Sequence, residues 1–288
     1  MKQPTPSARA RTVPAILLAS GAHYLERADA AFSLALDAGC DGLELDIGPD
    51  QLLRGLGPVR RLIAATGLPV RAVHPPLYPL PGWPREPATV VRLGEAALSL
   101  GARTIVLHPP KCRDLADPRL VRFAETLCAQ QARLALSGAH IVLENPGFFH
   151  CADGDYPLWH VPALRHLAEQ CGLQTALDTA HAGSSPLSLM DTYGVVRGRL
   201  AHVHLSDLRP PHHLLNLPLL HSFFRDHQLP GSGTLPLAEL LAALAIDGYT
   251  GDITLELSPV ALRTYRPAEA RRLLAAAVAY VRAPFLRS

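Results

Sequence analysis

The sequence of 288 residues lacks several features that would assign it to a specialised class of protein. No apolar run reaches the length of a membrane-spanning helix. The five cysteines are scattered and include no CxxC pair, so we expect reduced thiols, with neither a disulfide framework nor a thiolate zinc site. The glycine-rich phosphate-binding fingerprint of dinucleotide folds is also absent after the first predicted strand.

The sequence also carries little net charge, because 27 lysines and arginines face 25 aspartates and glutamates. This balance disfavours nucleic acid and a membrane surface as partners, although a local basic groove is compatible with it. A hydrophobic content of 48% with 18% charged residues is typical of a folded enzyme and excludes a disordered chain. Because the N-terminus does not form a convincing secretion signal, we expect a cytoplasmic protein.

Short apolar segments alternate with longer segments of helical periodicity along the whole chain, which predicts a parallel sheet covered by helices. Six glycines follow predicted helices, where a left-handed conformation commonly ends a helix. Eight strand–helix units in a chain of this length predict a closed (β/α)₈ TIM barrel. The eight strands are predicted at 13–20, 42–48, 69–76, 104–110, 140–147, 174–183, 200–207 and 252–259.

The barrel is predicted to form one domain over residues 12–288, preceded by a flexible tail over residues 1–11. Two connections are longer than ordinary strand–helix turns: residues 148–160 after the fifth strand and residues 208–233 after the seventh. Loops of this length inside a compact domain are usually lids or binding loops. The sequence leaves open whether the chain forms a homo-oligomer.

Acidic and imidazole residues recur where the predicted strands end. In a TIM barrel these carboxyl ends converge on the face that carries the catalytic site. Carboxylates buried together are costly unless they are paired, and a divalent cation with mixed carboxylate and imidazole ligands removes that cost. We therefore expect a metal site formed by Glu144, Asp178, His204 and Glu256. The other strand-end residues of this kind are Glu44, Asp46, His74, His108, His181 and His202.

Several of these residues have plausible structural roles as well. His74 could cap or hydrogen-bond within a loop, and Asp178-x-x-His181 taken alone could stabilise a turn. Glu44 could pair with a cation or contact substrate, and His202 is expected to support His204 from behind the site. Only the joint pattern of acidic and imidazole groups favours the metal interpretation.

Five motifs in the order VLENP, LDTAHA, HVHLSD, HQLPGSG and GYTGDITLEL resemble the xylose isomerase-like superfamily of TIM barrels. That superfamily joins sugar and sugar-phosphate isomerases and epimerases with endonuclease IV, an abasic-site endonuclease. The isomerase resemblance implies one Mn, Mg, Co or Zn ion held by Glu144, Asp178, His204 and Glu256. Glu144 and Glu256 would move a proton beside a metal-chelated carbonyl, and His181 would contact a substrate oxygen.

The endonuclease IV resemblance implies additional metal ligands. His74 and His108 match a second site in which Glu144 bridges two zinc ions, and His227 with His181 matches part of a third. Arg225 stands where a carboxylate of the third site is expected, so a mono- or dinuclear site is predicted.

The sequence therefore favours a metal-dependent sugar or sugar-phosphate isomerase or epimerase with a small-molecule substrate. The alternative is a di-zinc hydrolase of abasic-site DNA or of a smaller phosphoester or amide. A barrel that binds a metabolite without turnover is a third interpretation. The residues expected to contact substrate are Glu44, His74, His108, His181, Arg209 and His227.

Overall fold

The computed structural model describes residues 13–210, 221 and 223–287. Eight parallel strands form a closed barrel in which each strand pairs with its neighbours in chain order and the eighth pairs with the first. The predicted (β/α)₈ barrel is confirmed, while the predicted tail over residues 1–11 lies outside the described residues. The strands are β1 Ile16–Ala19, β2 Gly42–Asp46, β3 Val70–His74, β4 Thr104–Leu107, β5 His140–Glu144, β6 Gln174–Asp178, β7 Leu200–Leu205 and β8 Asp252–Leu255.

The helices lie between the strands and cover the outside of the barrel. No helix formed by the described residues is both long enough and apolar enough to cross a membrane. The six glycines predicted to end helices all have positive φ, between 66° and 75°, as a left-handed cap requires. The helices are α1 Ala28–Asp37, α2 Pro49–Arg54, α3 Gly57–Thr66, α4 Ala88–Leu100, α5 Pro118–Ala135, α6 Val161–Gln170, α7 Thr179–Ser184, α8 Leu189–Val196, α9 Leu237–Ile246, α10 Pro259–Leu262 and α11 Pro267–Arg287.

The main hydrophobic core lies between the strands and the surrounding helices, where large side chains such as Phe32 and Phe123 are fully buried. The interior of the barrel contains a much smaller apolar cluster, formed by Val106, Val142 and Ala176. Burial of apolar surface in the outer layer supplies the main driving force for folding. The small interior cluster leaves room for polar side chains at both ends of the barrel.

The prediction that all cysteines are reduced thiols is wrong for one pair. Cys128 in α5 and Cys171 after α6 form a disulfide, with Cα atoms 4.5 Å apart. These residues are 43 positions apart in the sequence and meet because α5 and α6 are consecutive helices of the outer layer. Their spacing gives no pattern that predicts the pairing, whereas Cys40 and Cys112 are free thiols, as expected.

Candidate active site

Four residues predicted as metal ligands meet at the carboxyl end of the barrel. Glu144 and Asp178 end β5 and β6, His204 lies in β7, and Glu256 follows β8. Each contributes one ligand-type atom, and these four atoms all lie within 4.8 Å of one another. They converge because neighbouring parallel strands end at the same face, and Asp178 lies directly opposite His204 in the β6–β7 pairing. We call these four residues the central cluster.

The central cluster has the chemistry expected of a divalent-cation site. Among the described residues, both carboxylate oxygens of Glu144, Asp178 Oδ2 and Glu256 Oε2 are buried without a hydrogen bond of good geometry, and each faces an imidazole nitrogen at 2.9–3.6 Å. Buried carboxylate oxygens without well-formed hydrogen bonds are costly, and a cation would satisfy them. Three carboxylates and one imidazole are also a ligand set that divalent metals accept. The residues present therefore fit a metal ion.

The electrostatics of the cluster reflect strong coupling between acids and imidazoles. Burial raises the pKa of Asp178 to about 6, although the charge on His181 opposes this shift. Burial alone would also raise the pKa of Glu144, but His108 and His204 hold it well below its usual value. Burial opposes the charging of His204, yet Glu44 and Glu144 raise the pKa of His204 well above its usual value. Charges of both signs are therefore concentrated in a buried site.

The ring of His204 is held between the central cluster and a buried carboxylate beneath it. His204 Nδ1 lies 2.9 Å from Glu256 Oε2, while His204 Nε2 lies 2.8 Å from Glu44 Oε1 in an ion-pair contact that lacks hydrogen-bond geometry. Glu44 Oε2 accepts hydrogen bonds from His202 Nε2 (2.7 Å) and Thr254 Oγ1 (2.9 Å). A carboxylate behind a ligating histidine fixes the orientation of its ring. This geometry favours a positioning role for Glu44 over the predicted substrate contact.

A second group of ligand-type atoms adjoins the central cluster. His74, His108 and Glu144 contribute atoms within 4.8 Å of one another, with His108 Nε2 3.2 Å from Glu144 Oε2. The other oxygen of Glu144 faces His204 Nδ1 at 3.4 Å, so this carboxylate lies between the two groups. Behind His74, Asp46 Oδ1 lies 3.4 Å from Nδ1 and gives this ring a carboxylate neighbour as well. The geometry is compatible with one ion or two.

The Asp178-x-x-His181 motif stabilises a turn and also places ligand-type atoms at the site. Asp178 Oδ1 accepts a hydrogen bond from the backbone N–H of His181 (2.7 Å) and caps the N-terminus of α7. Asp178 Oδ2 has no hydrogen-bond partner and belongs to the central cluster. The turn that begins α7 also places His181 Nδ1 3.1 Å from Glu144 Oε1.

Two of the predicted substrate-binding residues lie on the connection after β7. The ring of His227 lies 5.8 Å from the ring of His181, so His227 borders the site. Arg209 is exposed, and within the part of the chain that the structure describes its side chain makes no contact with the clusters. The structure therefore brings His227 to the site and leaves Arg209 apart from it. Residues 211–220 and 222 of this long connection lie outside the described residues.

Asn145 is a supporting residue that the sequence interpretation missed. Its side-chain Nδ2 donates to the backbone oxygen of Asp178 (3.0 Å), and its Oδ1 accepts from the backbone N–H of Asp178 (2.8 Å). The Asn145 side chain thus joins the ends of β5 and β6 and fixes Asp178 beside Glu144. Its position in the VLENP motif was the only available signal.

The long connection after β5 is confirmed and is internally braced. Asp153 is buried and accepts hydrogen bonds from the backbone N–H of Phe149 (2.8 Å) and from Lys111 Nζ (2.9 Å). Trp159 Nε1 donates to the carbonyl of Gly147 (3.1 Å), so its ring stiffens the loop. The ring of Phe149 lies 5.6 Å from that of His181 and forms an apolar edge of the site.

Solved structures with the same fold include two sugar epimerases. The 3-keto-D-glucoside 4-epimerase of E. coli is 22% identical, with a TM-score of 0.65 over 94% of this chain and 99% of that protein. The D-allulose 3-epimerase of Methylomonas sp. is 16% identical, with a TM-score of 0.66 over 94% of this chain and 96% of that protein. At this level of identity the similarity establishes the architecture.

Sequence relatives and a family model establish the family. An uncharacterized protein of Mycobacterium leprae is 30% identical over 302 residues, which cover 96% of this chain and all of the relative. The model of the xylose isomerase-like TIM barrel family matches residues 32–280 and so includes β2 to β8, the central cluster, and His74 and His108. The chain therefore belongs to the xylose isomerase-like TIM barrel family.

Proposed function

We propose that this protein is a divalent-metal-dependent sugar or sugar-phosphate epimerase or isomerase that moves a proton beside a carbonyl group. The observation that carries the proposal is the central cluster, whose four ligand-type atoms lie within 4.8 Å of one another. Four of its carboxylate oxygens are buried without a well-formed hydrogen bond from any described residue. This arrangement supports a cation-dependent reaction at the carboxyl end of the barrel.

Glu144 and Glu256 are the proposed acid and base. A divalent ion held by the central cluster would polarise a bound carbonyl and its neighbouring hydroxyl, which acidifies the C–H bond between them. Burial opposes ionisation of Glu256, but His227 and His204 lower its pKa, so Glu256 is in the ionised form that a general base requires. Its side chain is 16% exposed, against 1% or less for the other three, and it therefore faces the open side of the site.

His181 is proposed to contact a substrate oxygen. Its Nδ1 lies 3.1 Å from both Glu144 Oε1 and the carbonyl of Asn145. These contacts hold the ring and leave Nε2 as the nitrogen that can bind substrate. His227, beside the same ring, is proposed to close that side of the substrate site.

A keto sugar is the proposed substrate class. Two proteins of the same fold are named as epimerases of 3-keto-D-glucoside and D-allulose, and both substrates are sugars with a ketone. Arg209, the one arginine predicted to contact substrate and therefore the one that could pair with a phosphate group, is exposed and makes no contact with the clusters among the described residues. We therefore favour an unphosphorylated keto sugar over a sugar phosphate.

A di-zinc hydrolase is the second candidate, and the group His74, His108 and Glu144 favours it specifically. Its three atoms lie within 4.8 Å of one another and share Glu144 with the central cluster. His74 and His108 would hold a second ion together with Glu144, and a pair of ions would stabilise both the attacking and the leaving oxygen of a displacement. This candidate predicts two ions per chain and cleavage of a phosphoester or amide.

Hydrogen exchange distinguishes the two candidates. Metal-loaded protein incubated in D₂O with a panel of ketoses should incorporate deuterium at the carbon next to the carbonyl, as detected by NMR or mass spectrometry. Heat-inactivated protein serves as the control for spontaneous exchange. Failure to exchange any ketose, together with chelator-sensitive cleavage of an abasic-site duplex, would overturn the epimerase proposal in favour of the hydrolase.

The substitution Glu44→Gln should weaken metal binding about 10- to 100-fold, because it removes the charge that orients the ring of His204. Titration calorimetry of metal-free protein measures the affinity, and circular dichroism checks the fold. Glu125→Gln, an exposed position on α5, is the matched control and should leave the affinity unchanged. An unaltered affinity in Glu44→Gln would show that this carboxylate does not position His204.

A further inference from the structure

The amino-terminal end of the barrel contains a cavity of about 650 Å³, at the end opposite the central cluster. Its walls include the first residues of four strands, Thr104, His140, Gln174 and Asp252. In TIM barrels this end is normally the packed, stabilising face. The cavity here is instead lined mainly by polar groups, and its volume is typical of sites for small molecules.

The floor of the cavity is an ion pair whose charges cancel. Arg71 extends from β3 across Gly42, where an added Cβ would lie 2.9 Å from Arg71 Cδ. Its guanidinium then donates two hydrogen bonds to Asp252 (3.0 and 2.8 Å). Because this pair is bidentate, neither charge needs a further partner. Arg71 and Asp252 therefore have their partners within the protein and need none from a ligand.

Among the described residues, the remaining charges of the cavity leave one arginine without an ion-pair partner. Arg197 Nη1 lies 3.7 Å from Asp247, which also accepts a hydrogen bond from the hydroxyl of Tyr193 (2.7 Å). Arg103 also lines the cavity, and within residues 13–210, 221 and 223–287 its guanidinium has no hydrogen-bond or ion-pair partner. The described lining therefore carries three arginines against two aspartates and is net positive.

Two further polar groups beside Arg103 also lack hydrogen-bond partners in the described part of the chain. The backbone N–H of His140 donates to the carbonyl of Arg103 (2.8 Å), so these residues are adjacent at the starts of β4 and β5. His140 Nε2 is buried without a hydrogen-bond partner in the described structure. The side-chain amide of Gln174, at the start of the next strand, likewise has no partner among the described residues. Arg103 is exposed, so an anion in the cavity would take the place of water at its guanidinium.

We propose that this cavity is a second binding site, which takes a small anionic metabolite through its phosphate or carboxylate oxygens. Arg103 supplies the charge and Gln174 supplies a hydrogen-bonding amide, while His140 forms part of the same wall. Charge-assisted hydrogen bonds from a guanidinium to an oxyanion are the strongest interactions available in such a site. The site is independent of the proposed reaction, since it lies at the other end of the barrel.

Titration calorimetry of the metal-loaded protein with inorganic phosphate, and separately with malonate, tests this proposal. At least one probe should bind, and Arg103→Gln should weaken that binding at least about tenfold, since it removes the unpaired charge. Arg122→Gln, an exposed arginine on α5 away from the cavity, is the matched control and should bind like the wild type.

The two probes identify the class of ligand. If Arg103→Gln weakens the binding of phosphate alone, the ligand of the cavity is a phosphorylated metabolite. If it weakens the binding of malonate alone, the ligand is a carboxylate. A probe that binds at the central cluster would bind equally well to Arg103→Gln, because Arg103 lies at the opposite end of the barrel. Absence of binding up to about 10 mM, or binding that Arg103→Gln leaves unchanged, would overturn the proposal.

Discussion

Removal of divalent metal should lower the rate of ketose C–H exchange by about a thousandfold or more, and added Mn²⁺, Co²⁺ or Mg²⁺ should restore it. A metal acting as a Lewis acid contributes several kcal/mol to stabilising developing charge, and each 1.4 kcal/mol corresponds to a factor of ten in rate. In this chain the ion would be held by the buried carboxylates of Glu144 and Asp178, together with His204 and Glu256. The same treatment should therefore lower the melting temperature, because a ligand bound only by the native state stabilises it.

The number of ions that restores activity separates the two candidate functions. One equivalent per chain is expected for the epimerase, with the central cluster as its site. If two equivalents are required, and His108→Ala removes the need for the second one, the group of His74, His108 and Glu144 is a catalytic metal site. Protein dialysed in parallel without chelator controls for inactivation by handling. Full activity in protein from which elemental analysis shows the metal to be gone would contradict the proposed reaction.

The barrel itself could be predicted from the sequence because its signals are local. Apolar strand segments and the glycines that end helices are each visible within a few residues, and their alternation specifies the architecture. The residue at which each strand ends could be predicted less accurately than the strand itself. The sixth strand was predicted over 174–183, but β6 ends at Asp178, because the side chain of Asp178 caps α7 and the chain turns immediately into that helix.

The central cluster could also be anticipated, since the carboxyl ends of all strands in such a barrel meet at one face. The residues that support it depend on long-range register, which the sequence does not display. The β6–β7 pairing shifts register at Thr175 and Ala176, and this shift places Asp178 opposite His204. The contact of Glu44 with His204 joins β2 to β7 across the barrel interior. The disulfide and the amino-terminal cavity likewise depend on packing between distant segments.

The substitution Glu256→Gln should lower C–H exchange about 100- to 10,000-fold, the range that general acid–base catalysis contributes. Of the central cluster, Glu256 is the residue with the most exposed side chain, so it is best placed to take a proton from a bound substrate. Glutamine has nearly the same shape and keeps an oxygen that can face the ion, but it cannot accept a proton at neutral pH. The variant therefore separates proton transfer from assembly of the site.

Metal content must be measured alongside the rate, because Glu256 is proposed to hold the ion as well as to move the proton. A variant that binds metal in the wild-type ratio and yet fails to exchange would assign the proton-transfer role to this carboxylate. Glu144→Gln should lower both the metal content and the exchange rate more than Glu256→Gln does, since Glu144 lies between the two groups and has both oxygens buried. Glu125→Gln on the surface of α5 should match the wild type in both. If metal-loaded Glu256→Gln keeps the wild-type exchange rate, Glu256 is a ligand alone and another group must carry the proton.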